Sequence, residues 1–297
     1  MKVSKAITIA GAAAGVSYLT YQAIAEKAFH SVFDKKNYKY GTDPKYQKWI
    51  NESNVTQVKI DSFDGLKLNA YNVRNHDDAP YIIMLHGIWS NKTYMYNRAY
   101  EFDKLGYNIL LIDQRAAGDS EGSYYTYGQK ESLDLLLWID YLIQKDSNVK
   151  IILYGVSMGA ATIMIASANK LPDNVKCLVE DCGFSSMYDV VERTIRKEYG
   201  IKYTKVIMKL LESKMAEKFN MTFDDACPKK CLQSNEKPIL IIHGMKDEFV
   251  PYDMAKILYN NNKGIRKFYP VPDADHGEAI HDKNYFLNID LFIKKYL

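Results

Sequence analysis

Short apolar runs alternate with longer amphipathic stretches along most of this chain. The runs are Tyr81–Leu85, Asn108–Ile112, Ile151–Leu153, Cys177–Val179, Ile239–Ile242 and the mixed Arg266–Tyr269. Helix-like stretches lie near 94–105, 128–145, 158–170, 251–262 and 279–295. Strands that are apolar at successive positions are buried on both faces. Their alternation with helices predicts an α/β fold with a mostly parallel central sheet, helices on both faces and right-handed crossovers. Ahead of them, Val55 to Val73 reads as two strands turned at Asp64-Gly65, with Leu66, Leu68 and Ala70 at alternate positions.

The rhythm stops between Asp181 and Pro238. No strand pattern occurs there, while Val190, Val191, Ile195, Val206, Ile207, Leu210 and Leu211 recur at helical spacing. A helical insertion at the strand ends of an α/β sheet overlies the crevice where ligands bind. Residues 183–236 are therefore expected to form a cap.

The beginning of the chain differs again. Lys2 and Lys5 precede Ala6–Ala25, which carries no charge. An uncharged stretch of ~20 residues is long enough to span a bilayer as a helix. Positive charge before it suits a cytoplasmic N-terminus, and Ala23-Ile24-Ala25 has the small-residue pattern of a signal peptidase site. Three readings stay open: an uncleaved signal anchor, a cleaved signal peptide, and a soluble helix. The expected organisation is a signal anchor or signal peptide over 1–26, a linker over 27–52, and one catalytic domain over 53–297. The corresponding location is the cell membrane with the domain outside, or secretion after cleavage.

Composition narrows the function classes. The 297 residues carry a net charge of +3 with no basic run, so nucleic-acid binding has no electrostatic support. The 24 tyrosines are scattered and read as packing and surface rings. Of the four cysteines, Cys177 and Cys182 flank a buried strand and Cys227 and Cys231 are one helical turn apart. No further ligands stand at zinc-site spacing, so neither a metal nor an organic cofactor is expected.

The candidate chemistry centres on Gly155-Val156-Ser157-Met158-Gly159. An apolar strand precedes it and a run of small apolar residues follows. That is strand, sharp turn and helix, with a serine held at the apex and glycines allowing close approach on both sides. A serine hydroxyl needs a base, and the base an orienting carboxylate. Among the six histidines, His276 in Asp273-Ala274-Asp275-His276-Gly277 lies in a polar loop between the last strand and the last helix. His281 is placed inside that helix, and His86 and His243 end strands, where such residues fix loops. Asp247, in the loop after His243-Gly244, is the candidate carboxylate; Glu248 is the alternative, and Asp273 and Asp275 stand too near His276. A tetrahedral intermediate requires two backbone donors. Met158, after the serine, and Ile88, in the loop after Leu85-His86-Gly87, are the candidates for the oxyanion hole.

Over roughly 53–297 the chain resembles an α/β-hydrolase. The matching elements are His86-Gly87, Asp113–Gly122, Gly155–Gly159, His243–Asp247 and Asp275–Gly277, in that family's order. Tyr125–Glu131 is similar to a segment of membrane-anchored or cell-surface hydrolases of Gram-positive bacteria, related to serine-aminopeptidase-like and prolyl-oligopeptidase-like branches. Ala116-Ala117 departs from the more usual glycine-containing sequence. The resemblance implies a serine hydrolase with Ser157, His276 and Asp247 as triad and a small-molecule ester as substrate. A peptidase is the alternative, for which Glu192, Glu198, Glu212 and Glu217 in the cap offer negative charge. A non-catalytic binding protein on the same fold is the third.

Overall fold

The computed structural model describes residues 19–36 and 41–297. In chain order the elements begin with helix α1 over 19–33. Next come α2 (Pro44–Glu52), β1 (Val55–Asp61), β2 (Lys67–Val73), β3 (Tyr81–Leu85), α3 (Tyr96–Lys104), β4 (Asn108–Asp113) and α4 (Gln129–Lys145). Then follow β5 (Ile151–Val156), α5 (Met158–Ala166), β6 (Val175–Asp181), α6 (Met187–Tyr199), α7 (Lys205–Phe219), the short α8 (Pro228–Cys231) and β7 (Ile239–Gly244). The last elements are α9 (Tyr252–Asn261), β8 (Arg266–Val271) and α10 (Tyr285–Lys294).

The strands form one sheet in the order β1-β2-β4-β3-β5-β6-β7-β8. β1 and β2 pair antiparallel, as does β2 with β4, and all remaining pairs are parallel. The continuous apolar runs now have a cause. Along the central strands, Ile82, Met84, Ile152, Tyr154 and Val179 face one layer, with Phe102 of α3 and Ile289 of α10. Ile83, Leu85, Leu153 and Leu178 face the other, with Trp138 of α4 and Ile163 of α5. Both sides of the pleat are buried, so no polar position interrupts the run.

This order creates a switch point. From β3 the chain passes to β4 on one side, and from β5 to β6 on the other. The crevice between the carboxyl ends of β3 and β5 is where an open α/β sheet binds ligands. Over that end lies a third apolar cluster, containing Val191, Ile195, Ile207, Leu211 and Met215 of α6 and α7. Phe184, Tyr127, Val250 and the partly buried Ile88 pack into it from the domain below.

One expectation about the N-terminal region needs correction. The stretch 27–52 is not a linker. Residues 19–33 form a helix whose Ala25, Ala28, Phe29, Val32 and Phe33 are buried in the cap cluster. Pro44–Glu52 forms a second helix, capped by the Asp43 side chain on Lys45 N–H, with Trp49 and Ile50 in the core. Polar surface positions masked two amphipathic helices of short apolar stripe. The uncharged stretch Ala6–Ala25 falls mostly outside the described residues. Its described end, from Leu19, belongs to α1, and no helix among the described residues is long and apolar enough to cross a membrane.

If α1 is part of the folded domain, truncating its central ring must destabilise the whole. Phe29 is 2% exposed and its ring stacks on Phe219 at 5.6 Å. Phe29→Ala is expected to lower the unfolding free energy by ~3 kcal/mol, read from urea denaturation; a detached leader would give no change.

Candidate active site

β5 ends at Val156 and α5 starts at Met158, so one residue turns the chain. That residue, Ser157, has φ 55° and ψ −115°, a backbone that L-residues seldom adopt. A methyl group added at Gly155 would lie 2.3 Å from Gly159 O, and one at Gly159 would lie 2.3 Å from Leu85 O. Only glycine lets strand, helix and neighbouring strand approach so closely. Ser157 N–H donates to Asp181 O at 2.8 Å, fixing the turn on β6.

His276 and Asp247 meet this serine. His276 Nε2 lies 2.9 Å from Ser157 Oγ, and Nδ1 lies 2.7 Å from Asp247 Oδ2. With Asp247 ionised, Nδ1 carries the proton, leaving Nε2 free to accept from the serine hydroxyl. Asp247 is buried, and its Oδ1 accepts from Phe249 N at 2.9 Å and Val250 N at 2.8 Å. Burial alone would raise its pKa. Bonds from His243, His276 and the Val250 amide outweigh that and hold it lowered to about 2.

The alternatives lie elsewhere. Asp275 Oδ1 caps the backbone N–H of His276 at 2.7 Å, and Asp273 pairs with Lys246 on the surface. Glu248 lends its backbone carbonyl to Arg193 of the cap. His281 is not in the last helix: it closes a separate 3-10 turn, Ala279–His281.

Both predicted oxyanion residues border the serine. Met158 is the first residue of α5, where N–H groups have no intrahelical acceptor. Gly87 packs against Ser157, since a methyl there would touch Ser157 Cβ at 3.4 Å. Ile88 follows directly. Buried His86 shapes this loop: Nε2 accepts from Gln114 N at 3.1 Å, so Nδ1 donates to Gly87 O at 2.7 Å. Burial pushes its pKa down, which keeps this tautomer neutral.

Comparison with known proteins bears on the fold. A model of the α/β hydrolase fold matches residues 80–204. YqkD of Bacillus subtilis, itself uncharacterized, is 26% identical over 222 residues, 74% of this chain and 72% of that protein. The esterase Pf2001 of Pyrococcus furiosus superposes with a TM-score of 0.71 at 23% identity, over 89% of this chain and 98% of that one. An acetyl xylan esterase from Paenibacillus sp. R4 superposes with a TM-score of 0.64 at 17% identity, over 88% and 97%. The chain has the α/β-hydrolase fold.

On this hydrolase fold the structure adds residues that the sequence did not signal. Arg98 is buried on α3, donating from Nε to Tyr154 Oη at 3.0 Å and from Nη2 to Gly277 O at 2.8 Å. It thereby ties the loop carrying His276 to the core. Nothing in the pattern of α3 marks Arg98 as different from a surface arginine. His243 fixes its loop, with Nε2 bonding Val250 O at 2.8 Å, and it also approaches Asp247 Oδ2 at 3.3 Å. One group of possible metal ligands converges among the described residues: Cys182, Asp247 and His276, with ligand atoms within 4.8 Å of one another. Burial pushes the Cys182 thiol well above its ordinary range, which disfavours the thiolate a metal would need. All four cysteines are free thiols.

The lowered pKa of Asp247 has a sign that can be tested. The folded value, about 2, lies below the ordinary 3.8. Its stabilising contribution is therefore complete above pH ~4 and is lost as pH falls through 2, amounting to roughly 2 kcal/mol. In acid unfolding followed by circular dichroism, Asp247→Asn is expected to lose stability less steeply than wild type between those limits.

Proposed function

We propose that this protein is a serine hydrolase of small carboxylic esters, acting through an acyl-enzyme. The observation that carries the reading is the unbroken chain of bonds from Asp247 through His276 to Ser157 at a strained turn. Ser157 Oγ attacks the carbonyl carbon as His276 Nε2 takes its proton. The carbonyl electron pair moves to oxygen, where the Ile88 and Met158 amides stabilise it. As the pair returns, the C–O bond to the alcohol breaks, and the leaving oxygen takes the proton from His276. Water then repeats the sequence on the acyl-enzyme, releasing the carboxylic acid and restoring Ser157. Asp247 holds the Nδ1–H tautomer and balances the imidazolium. Of the expected cap over 183–236, α6 and α7 form the roof under which the ester binds, while Leu232 near its end packs in the core layer of Trp138 and Ile163.

The same triad cleaves amides, so the choice of ester over peptide rests on the cap. An aminopeptidase needs a free carboxylate for the substrate's ammonium group. Glu192 accepts from Arg196 and Thr204, Glu198 from Ser31, and Glu212 from Phe223 N–H. These acids are engaged within the cap, while Phe249 packs edge-on to His276 with ring centroids 5.0 Å apart. The Phe249 ring beside the base and the engagement of three of the four acids support an ester; Glu217 is exposed. The similarity to two esterases supports the same reading. Attachment to the cell membrane with the domain outside is also proposed, supported by the uncharged stretch after Lys2 and Lys5; alkaline extraction of membranes tests it.

Labelling with a fluorophosphonate is expected for wild type and not for Ser157→Ala. Asp247→Asn should lower kcat on a short-chain 4-nitrophenyl ester by about four orders of magnitude, since the base is left in the wrong tautomer. Absence of labelling in folded wild type would favour a non-catalytic binding role. Faster cleavage of aminoacyl anilides than of esters would favour the peptidase.

A further inference from the structure

The chain between α1 and α2 begins as a strap across the active-site end of the sheet. Asp34 forms a bridge with Tyr124, Lys35 N–H donates to Ser123 O at 2.8 Å, and Tyr125 N–H donates to Phe33 O at 2.8 Å. Tyr125 in turn packs in a small apolar cluster with Met158, Ile88 and Trp89. That cluster contains both residues whose amides are assigned to the oxyanion hole. At the end of the strap, Lys36 Nζ stands over the Trp89 ring, 3.6 Å from its centroid. Trp89 follows Ile88 directly and has φ 55°, unfavourable for a bulky side chain. Such a backbone persists where its surroundings over-determine it, and the Lys36 contact is one of the constraints on the residue next to Ile88.

We propose that Lys36 is a positioning residue for the oxyanion hole: its ammonium, seated on the Trp89 ring, fixes the Gly87–Trp89 loop so that the Ile88 N–H faces the substrate carbonyl. The proposal rests on the serine hydrolase reading above. A cation held against an aromatic face is worth more as it is desolvated, and Lys36 is partly withdrawn from water. Burial lowers its pKa, opposed by the neighbouring carboxylates of Glu198 and Asp34. Glu198 belongs to α6 and also accepts from Ser31 of α1 at 3.0 Å. One lysine thus sits where strap, cap and oxyanion loop meet.

The test compares Lys36→Met, which keeps the stem and removes the charge, with Lys36→Arg, which keeps both. With 4-nitrophenyl acetate, Lys36→Met is expected to lower kcat about fivefold with KM unchanged, equivalent to about 1 kcal/mol at 1.36 kcal/mol per tenfold. Inhibition by phenylboronic acid, whose serine adduct is tetrahedral, should weaken by the same factor, and Lys36→Arg should restore most of both. In a Trp89→Leu background, Lys36→Met should add nothing. If that background does not fold, Trp89→Phe replaces it, and the effect of Lys36→Met should shrink rather than vanish. Unchanged kcat and boronate affinity in Lys36→Met would overturn the proposal, as would an undiminished loss without the Trp89 ring, or no recovery with arginine. Tryptophan emission separates this outcome from failure of the hydrolase reading. A Lys36→Met emission change that requires Trp89, together with full activity, shows the contact without the role. Loss of Ser157 labelling in wild type removes the reaction itself.

Discussion

Ser157 at φ 55° and ψ −115° occupies a conformation that costs ~1–3 kcal/mol and persists only where its surroundings over-determine it. The sheet supplies that constraint. Leu85 pairs with Gly155, so β3 and β5 run in register up to the turn. Gly159 then brings α5 against the carbonyl of Leu85, and Gly155 brings it against β5. A side chain at either glycine would push the helix away, releasing the serine to an ordinary backbone angle. The nucleophile's exposure at the strand ends is thus a property of sheet register and two glycine contacts, and the oxyanion loop, leaving β3 one residue later, inherits the same alignment.

Around this turn, Asp181 and Asp247 are each held by several buried partners. Asp181, at the end of β6, accepts from Tyr285 Oη at 2.6 Å and has Arg98 Nη2 at 3.9 Å. Tyr154 and Tyr285 join hydroxyls at 2.5 Å, and Arg98 reaches on to Gly277 O. Asp247 is satisfied by two amides and two imidazoles. In a low-dielectric interior, removing one member leaves the others uncompensated. The loop of His276 is therefore held from beneath by Arg98 of α3, which Tyr154 and Tyr285 of α10 tie to Asp181, and the base keeps its position without needing a regular element of its own.

Much of this was legible because the local chemistry is demanding. Gly155 and Gly159 have no substitutes at their contact distances, the apolar runs must be continuous where both sheet faces are covered, and Pro251 before α9 bounds the loop that carries Asp247. What stayed hidden was long-range. Arg98 lies 179 positions from the carbonyl it holds, and no feature of α3 announces that its arginine points inward. The helices around Phe29 and Trp49 were missed for a different reason. Their apolar stripes are narrow, and lysines, tyrosines and asparagine on the remaining positions give the composition of a linker. Whether such a segment packs depends on the face presented by α7 and by α3, which its own sequence does not contain.

That dependence runs in both directions. α6 and α7 alone would leave the aromatic surface around Phe219 open, and α1 closes it with Phe29 and Phe33 at ring separations of 5.6 Å each. Ion pairing of Lys214 with Glu26 aligns the same two helices. The cap is thus built from chain segments on either side of the catalytic turn. This places two demands on one stretch of sequence. A bilayer span over Ala6–Ala25 would take Tyr21, Ile24 and Ala25 out of the cap cluster, where Ala25 is fully buried and the other two pack against it. A span that stopped short of α1 would fall below the ~20 residues a bilayer requires. In the described structure those side chains are buried in the cap cluster, and the strap that follows α1 carries their position to the edge of the active site.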